Sequence, residues 1–341
     1  MINNIIVPLD GSVLSEKALP YATTLAKQLK VKLTLLRVVE LQTPVGSKAA
    51  LSTQNASILA HQVQANTGQL LELGENEAYL QQVKVRFISP EAAFQLSDEK
   101  VETRVVYGKS PRELAAIIKE LNGDLIIMTT HGRSGLSLLM AGSIATNLIQ
   151  HTNVPVILIK PTDSEVTNQP SATDTLQPIV VTLDGSEGSE AILEVASSLA
   201  LQLGVKLHLL KVVNVLIPDV SGQLTLPADY DLESEGAQLK KQAEEYLKGL
   251  EAGLQAKGVD CITSVLVGEP IIGMIYNSEP VFKIAAYAET VNAQLLAMAT
   301  HARGRFSQVL LGSMSEEEVR QNPLPAMLVR MPEQHHHESE T

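Results

Sequence analysis

The chain has one cysteine, no tryptophan, seven tyrosines and four phenylalanines in 341 residues. A lone Cys261 cannot close an internal disulfide and makes neither a zinc site nor a nucleophile with partners, so it is predicted to be a small core residue. Basic blocks are also missing. Lys and Arg number 26 against 38 Asp and Glu, a net charge of −12, which repels phosphate backbones and argues against nucleic acid as a partner. No stretch approaches the roughly 18 uninterrupted apolar residues of a membrane span. The opening "MINNIIVPLD" lacks a basic region followed by an apolar run. Neither secretion nor a membrane is expected, and the predicted location is cytoplasmic.

What is present is one design written twice. "IIVPLDGS", "VKLTLLRVVE", "THGRSGLSLLMAGS" and "NVPVILIK" return in order as "IVVTLDGS", "VKLHLLKVVN", "THARGRFSQVLLGS" and "PLPAMLVR". Asp10 to Asp184 and Val31 to Val205 are each separated by 174 positions, whereas His131 to His301 and Gly142 to Gly312 are separated by 170. A repeat of about 150 residues is a globular domain rather than a solenoid unit. The expected division is domain 1 at 1–161, a polar linker at 162–177, domain 2 at 178–332 and a tail at 333–341 that carries His335 to His337.

Within each copy, strand and helix patterns alternate. Ile5 to Leu9 reads as a buried strand, and Ala18, Ala22, Leu25 and Leu29 mark one face of the helix after it. "VKLTLLRVV" is apolar after Thr34, as a strand covered on both faces should be. Residues from Glu40 to about Lys100 are polar and variable, and Val83 to Lys100 shows no usable period. In the second copy Gly236 to Leu254 reads as a helix. Strands are predicted at Val101 to Tyr107, Leu125 to Thr129 and Pro155 to Lys160. One helix should open at Pro111, capped by Ser110 with Glu113, and another should run from Ser143 to His151. Ser278 and Pro280 signal the matching start in the second copy. The expected fold is α/β: two tandem doubly wound domains, each a mainly parallel five-stranded sheet flanked by helices.

Ligands of such sheets bind outside the carboxyl ends of the strands, and both chemically suggestive segments fall there. Asp10, before Gly11 and Ser12, can accept from a ribose hydroxyl or a base amino group, or can serve an Asp-Gly turn. In "TTHGRSGLSLLMAGS", Gly132 is followed by nine residues, then by Gly142 and Ser143 at a helix start. Free amides and the helix dipole there attract phosphate, and Ser143 either donates to it or caps the helix. No Gly-Lys-Ser/Thr follows, so this is not a P-loop, and it is not the dinucleotide Gly-x-Gly-x-x-Gly. His131 and His301 have no nucleophile or metal-spaced partner nearby and read as structural or ligand-contact residues.

These residues resemble the universal stress protein family in its tandem form. ATP-binding members carry Gly-x2-Gly-x9-Gly-Ser/Thr after the fourth strand and an Asp ending the first. Here Thr129 stands at the first Gly, and Gly132, Gly142 and Ser143 match. The resemblance implies that Pro8, Leu9 and Asp10 line a nucleoside site, that the backbone of Val38 meets adenine, and that Met128, Gly132, Gly142, Ser143 and Ile144 surround ribose and phosphates. Arg133 is added for its charge beside Gly132. In the second copy Asp184, Val212, Gly312 and Ser313 match, but Ala299 and Ala302 replace both leading glycines and Thr182 replaces the proline. A methyl at 302 opposes close backbone approach. The implied function is a stress-response or signalling module. It would hold ATP in domain 1, with Mg²⁺ bridging the phosphates, and bind weakly if at all in domain 2. The two domains would pair through their last strands as an intramolecular pseudo-dimer; association of two chains is left open. At most slow ATP hydrolysis is expected. The alternative is a nucleotide-independent scaffold or chaperone-like protein.

Overall fold

The computed structural model describes residues 1–39, 73–86, 96–107, 111–130, 143–160, 177–217, 231–272, 279–300 and 324–331. The first half runs β1 (Asn4–Leu9), α1 (Val13–Glu16), α2 (Leu19–Leu29), β2 (Lys32–Val39) and α3 (residues 73–86). It continues with β3 (Val101–Tyr107), α4 (Pro111–Glu120), β4 (Leu125–Thr129), α5 (Ser143–His151) and β5 (Val156–Ile159). The second half has β6 (Ile179–Thr182), α6 (Ala191–Leu203), β7 (Leu207–Val213), β8 (Leu216–Ile217), α7 (Leu232–Gln255) and β9 (Cys261–Val267). Then follow β10 (Ile271–Ile272), α8 (Glu279–Thr290), β11 (Leu295–Thr300) and β12 (Ala326–Arg330). The fold is α/β with helices flanking a mostly parallel sheet, as expected.

Each half contributes five strands to one ten-stranded sheet ordered β3-β2-β1-β4-β5-β12-β11-β6-β7-β9. All pairings are parallel except β5 with β12, where Leu158, Ile157 and Val156 face Ala326, Met327 and Leu328. Alternation of side chains makes two core layers. Ile5, Val7, Leu33 and Leu35 lie in one layer with the α2 residues Ala22 and Leu25, and Ile157 and Met327 belong to it too. Ile6, Leu36, Ile126 and Met128 lie in the other with Ile118 of α4 and Leu148 of α5, together with Leu158 and Leu328. Both layers therefore cross the antiparallel seam.

Local sequence explains most boundaries. Pro20 is the second residue of α2, where its missing amide would have had no partner within the helix. Pro8 lies in a central strand, a place that proline normally avoids. It is tolerated because β1 pairs with β4 only at Ile5 and Ile6, while Pro8 continues to pair with Leu36 of β2. Asp231 Oδ1 accepts from the backbone amides of Glu233 and Ser234 at 3.1 and 3.0 Å, so α7 starts before the expected Gly236. Helix α3 has no counterpart in the sequence reading. Its buried contribution is confined to Leu80 and Val83, with Tyr79 partly buried, too short a stripe to stand out in a polar segment. The two-stranded sheet of β8 and β10 is likewise additional. The caps expected at Ser110 and Ser278 lie outside the described residues.

Cys261 is buried, and its thiol lies 3.7 Å from the Glu251 carbonyl. Burial pushes that thiol above the usual range, with Glu251 and Asp260 adding to the effect. This suits an inert core cysteine.

Candidate functional site

Strand order locates the site. From β1 the chain moves outward to β2 and β3, then returns to the other side of β1 for β4 and β5. The second half repeats this reversal between β6 and β11. A doubly wound sheet opens a crevice where its order reverses, at the carboxyl ends of the two flanking strands. Asp10 directly follows β1, Asp184 lies just past β6, and Met128 is near the end of β4.

The β1 tip is held by a compact hydrogen-bond set. Gly11 adopts φ +80, the left-handed region that a turn this tight requires. Ser12 donates its amide (2.8 Å) and its hydroxyl (2.6 Å) to Asp10 Oδ1. Ser12 Oγ also caps α1 by accepting from the Ser15 amide at 3.1 Å, and Ser15 Oγ donates to the Ser12 carbonyl at 2.8 Å. The β6 tip copies it. Gly185 has φ +91, the Ser186 amide donates to Asp184 Oδ1 at 2.7 Å, and Ser189 repeats both bonds of Ser15. Each aspartate is thus an Asx-turn acceptor, partly buried or exposed at the strand end, rather than a member of the apolar core.

Among the expected site residues, Pro8 and Leu9 end β1, with Leu9 buried in the α2 layer. Val38 and Met128 share the opposite layer, on the α4 and α5 side. Val212 sits in that layer in the second half. Ser143 and Ile144 are the first two residues of α5, so the helix start predicted from Gly142-Ser143 is present. Gly132, Arg133, Gly142, Gly312 and Ser313 lie outside the described residues, as do His131 and His301. The structure brings Asp10, Val38, Met128 and the α5 segment to one sheet with the β1–β4 reversal between them.

A family model described as the Universal stress protein family matches residues 1–160 and again 175–330. The chain belongs to the universal stress protein family. Universal stress proteins of Mycobacterium bovis and Mycobacterium tuberculosis are each 26% identical to it over 336 residues, covering 96% of this chain and 95% of theirs. The crystal structure of a universal stress protein from Archaeoglobus fulgidus superposes with a TM-score of 0.56 at 19% identity, covering 97% of both chains. That likeness extends to the fold of the whole tandem. Among the described residues no helix is long and apolar enough to cross a membrane, and no group of three or more His, Cys, Asp or Glu side chains could hold a metal.

This universal stress protein also carries, in each half, a polar cluster that sequence reading missed. In the first half Arg37 Nη1 donates to the Leu9 carbonyl at 3.2 Å and its Nε to Asn76 Oδ1 at 2.7 Å. Its guanidinium lies over the Tyr79 ring, 5.9 Å from the centroid. The Tyr79 hydroxyl donates to Glu16 Oε1 at 2.9 Å, and Arg86 pairs with the other oxygen of Glu16. In the second half Lys211 lies over Tyr246 at 5.7 Å, and Tyr246 donates to Glu190 Oε1 at 3.0 Å. Lys211 Nζ donates to the carbonyl of Asp184. Burial and then the glutamate hydrogen bond push both tyrosine hydroxyls up, so they remain donors. Burial pushes the Asp184 carboxyl up, but hydrogen bonds from Ser186 and Ser189 and the Lys211 charge outweigh it and hold the group below the usual carboxylate range. The available signal was the repeat itself: Arg37 and Lys211, like Glu16 and Glu190, keep the spacing of the two aspartates.

Proposed function

We propose that this chain is a stress-response or signalling module that binds ATP at the β1–β4 reversal of its first half. Asp10 carries the reading, because its carboxylate stands at the strand-order reversal on a turn fixed by Gly11 and Ser12. A ribose hydroxyl is the natural donor to such an acceptor. Val38 and Met128 supply apolar contact for a base and sugar, and α5 opens at Ser143, where free amides favour phosphate. The spacing of Gly132 and Gly142 adds room for close approach by the phosphates. Mg²⁺ would be held by the phosphates themselves, since no carboxylate cluster among the described residues competes for it. The residues therefore fit a nucleotide bound through backbone amides and one carboxylate, acting through shape rather than turnover.

In this reading residues 1–161 and 178–332 are domains joined by 162–177 and followed by a tail at 333–341, in a cytoplasmic protein. The domains act as an intramolecular pseudo-dimer; the antiparallel β5–β12 register supports this. So does Gln202, which accepts from the Ile2 amide at 2.8 Å and donates to the Ile2 carbonyl at 3.0 Å. The second half binds weakly or not at all, with Ala302 at a glycine position. Titration calorimetry with ATP tests the first-half site. Gly142→Val should abolish binding while the circular dichroism spectrum is kept, and Asp10→Ala should weaken it by about 1 to 3 kcal/mol. A wild type that takes up no ATP would turn the reading to a nucleotide-independent scaffold, and titrations unchanged in both variants would move the ATP site away from these residues.

A further inference from the structure

The ten-stranded sheet ends on two edges of opposite character. β3 closes the first half and carries Glu102 and Arg104, with Glu102 paired to both Arg104 and Lys32 of β2. Charges of this kind on an outer strand oppose pairing with another chain. β9 closes the second half as Cys-Ile-Thr-Ser-Val-Leu-Val, with no charge and no proline. Its faces are covered by helices. Val265 packs into the same layer as Cys261 and the α7 residue Leu247, while Leu266 packs into the layer of the α8 residue Ile284. Ile262 and Val267 nevertheless remain 37% and 42% exposed.

The direction of the β9 peptide groups follows from its neighbours. The Asp260 carbonyl accepts from the Leu207 amide and the Gly268 amide donates to the Val213 carbonyl, so the even-numbered residues of the strand turn their peptide groups to β7. The odd-numbered residues turn theirs outward, and the Cys261 carbonyl accordingly accepts from Gln255 Nε2 at 3.3 Å on that side. Among the described residues no strand lies beyond β9 to take the outward groups of Thr263, Val265 and Val267.

We propose that this edge docks a second copy of the chain, β9 against β9, antiparallel and centred on Ser264. In that register Thr263 faces Val265 and Cys261 faces Val267 as hydrogen-bonded pairs, because all four turn their peptide groups outward. Gln255 gives up the Cys261 carbonyl to the incoming strand. Ile262 faces Leu266, and Ser264 meets its twin on the axis. No charge is brought against its like within the strand. That condition is selective for a chain of net charge −12, whose copies repel wherever their facing surfaces are acidic. Asp260 and Glu269 fall at the rims, and Lys206, 3.7 Å from Asp260, offsets the first of them. The alternative contact between copies, β9 on β3, is heterologous and would grow into an open fibre; the Glu102–Arg104 pair opposes it. A β9 pair closes at two copies and extends a sheet that already joins its own halves by an antiparallel seam at β5 and β12.

Sedimentation velocity on the full chain over a wide range of concentrations tests the edge. Wild type should pass from monomer to dimer as concentration rises and go no further. Thr263→Pro removes an outward amide without touching the β7 ladder and should leave a monomer with an unchanged circular dichroism spectrum. Ile262→Lys/Val267→Lys places two charges on the same edge, should also be monomeric, and serves if the proline variant fails to fold. Ser264→Cys in a Cys261→Ala background should form a disulfide-linked dimer under mild oxidation, since directly opposed residues of a non-hydrogen-bonded pair stand within disulfide reach. A wild type that stays monomeric throughout overturns the proposal, as does a dimer that survives in a folded edge variant. Assembly that continues beyond two copies, or a dimer that Ser264→Cys does not cross-link, overturns the closed pairing centred on Ser264.

Discussion

Gly123 shows how the two halves solve one packing problem with different atoms. It precedes β4, and a methyl group there would lie 2.6 Å from Ile6 Cγ1 and 2.9 Å from Ile118 Cγ2, closer than carbon atoms approach. The second half has Ala293 at this place, and its two neighbours are smaller: Val180 for Ile6 and Ala288 for Ile118, all buried. Volume is exchanged between positions, as close packing requires. Gly123→Ala should therefore cost about 1 to 3 kcal/mol of stability by overpacking. Adding Ile6→Val, which deletes the Cδ1 methyl beyond that Cγ1 and lets the shorter side chain turn away, should recover part of that loss, although Ile6→Val alone costs about 0.5 to 1.5 kcal/mol. Urea denaturation of the four proteins closes the double-mutant cycle. Strictly additive losses would mean that the methyl is accommodated elsewhere.

Equivalent elements of the two halves are held by contacts that the repeat does not share. His208 of β7 is buried, and its Nδ1 lies 3.0 Å from the hydroxyl of Tyr287 on α8, which in turn lies 2.7 Å from Ser264 Oγ on the edge strand β9. The first half has Thr34 in that place, bonded to Asn4 at 3.0 Å instead. Burial holds His208 below the ordinary histidine value of 6.5, with the Lys206 charge adding to this and Asp260 opposing it. A histidine depressed in the folded state binds fewer protons than in the unfolded chain, so stability falls as pH drops below about 6.5. The urea midpoint should accordingly fall between pH 7.5 and 5.5, and fall less in His208→Thr; equal falls would remove His208 as the cause. Contacts of this kind were illegible in the sequence because their partners are far apart, as Tyr79 and Glu16 are at 63 positions. The Asp10–Gly11–Ser12 turn was legible because its chemistry closes within a few residues. Strands β3 and β4 and helix α5 fell where their apolar runs and Gly-Ser signal put them, whereas α3, with its short buried stripe, did not stand out.

At the scale of the molecule, the seam between the halves has the form of a twofold interface. Ile157 faces Met327, its own counterpart in the repeat, and the flanking pairs Val156–Leu328 and Leu158–Ala326 exchange roles on either side. Each half thus presents the same surface to the other, as in an isologous dimer, and a half alone would expose a strand edge of buried aliphatic residues. Such an edge has a ready partner in a second copy of itself. Residues 1–161 expressed alone should therefore form a homodimer through β5 centred on Ile157, and mixing with residues 178–332 should give a heterodimer. Ile157→Asp should make the isolated first half monomeric, because two carboxylates would meet at the axis in an apolar layer. Sedimentation velocity separates these outcomes. Halves that stay monomeric and show no affinity for each other would mean that the linker, not the strand edge, brings the domains together.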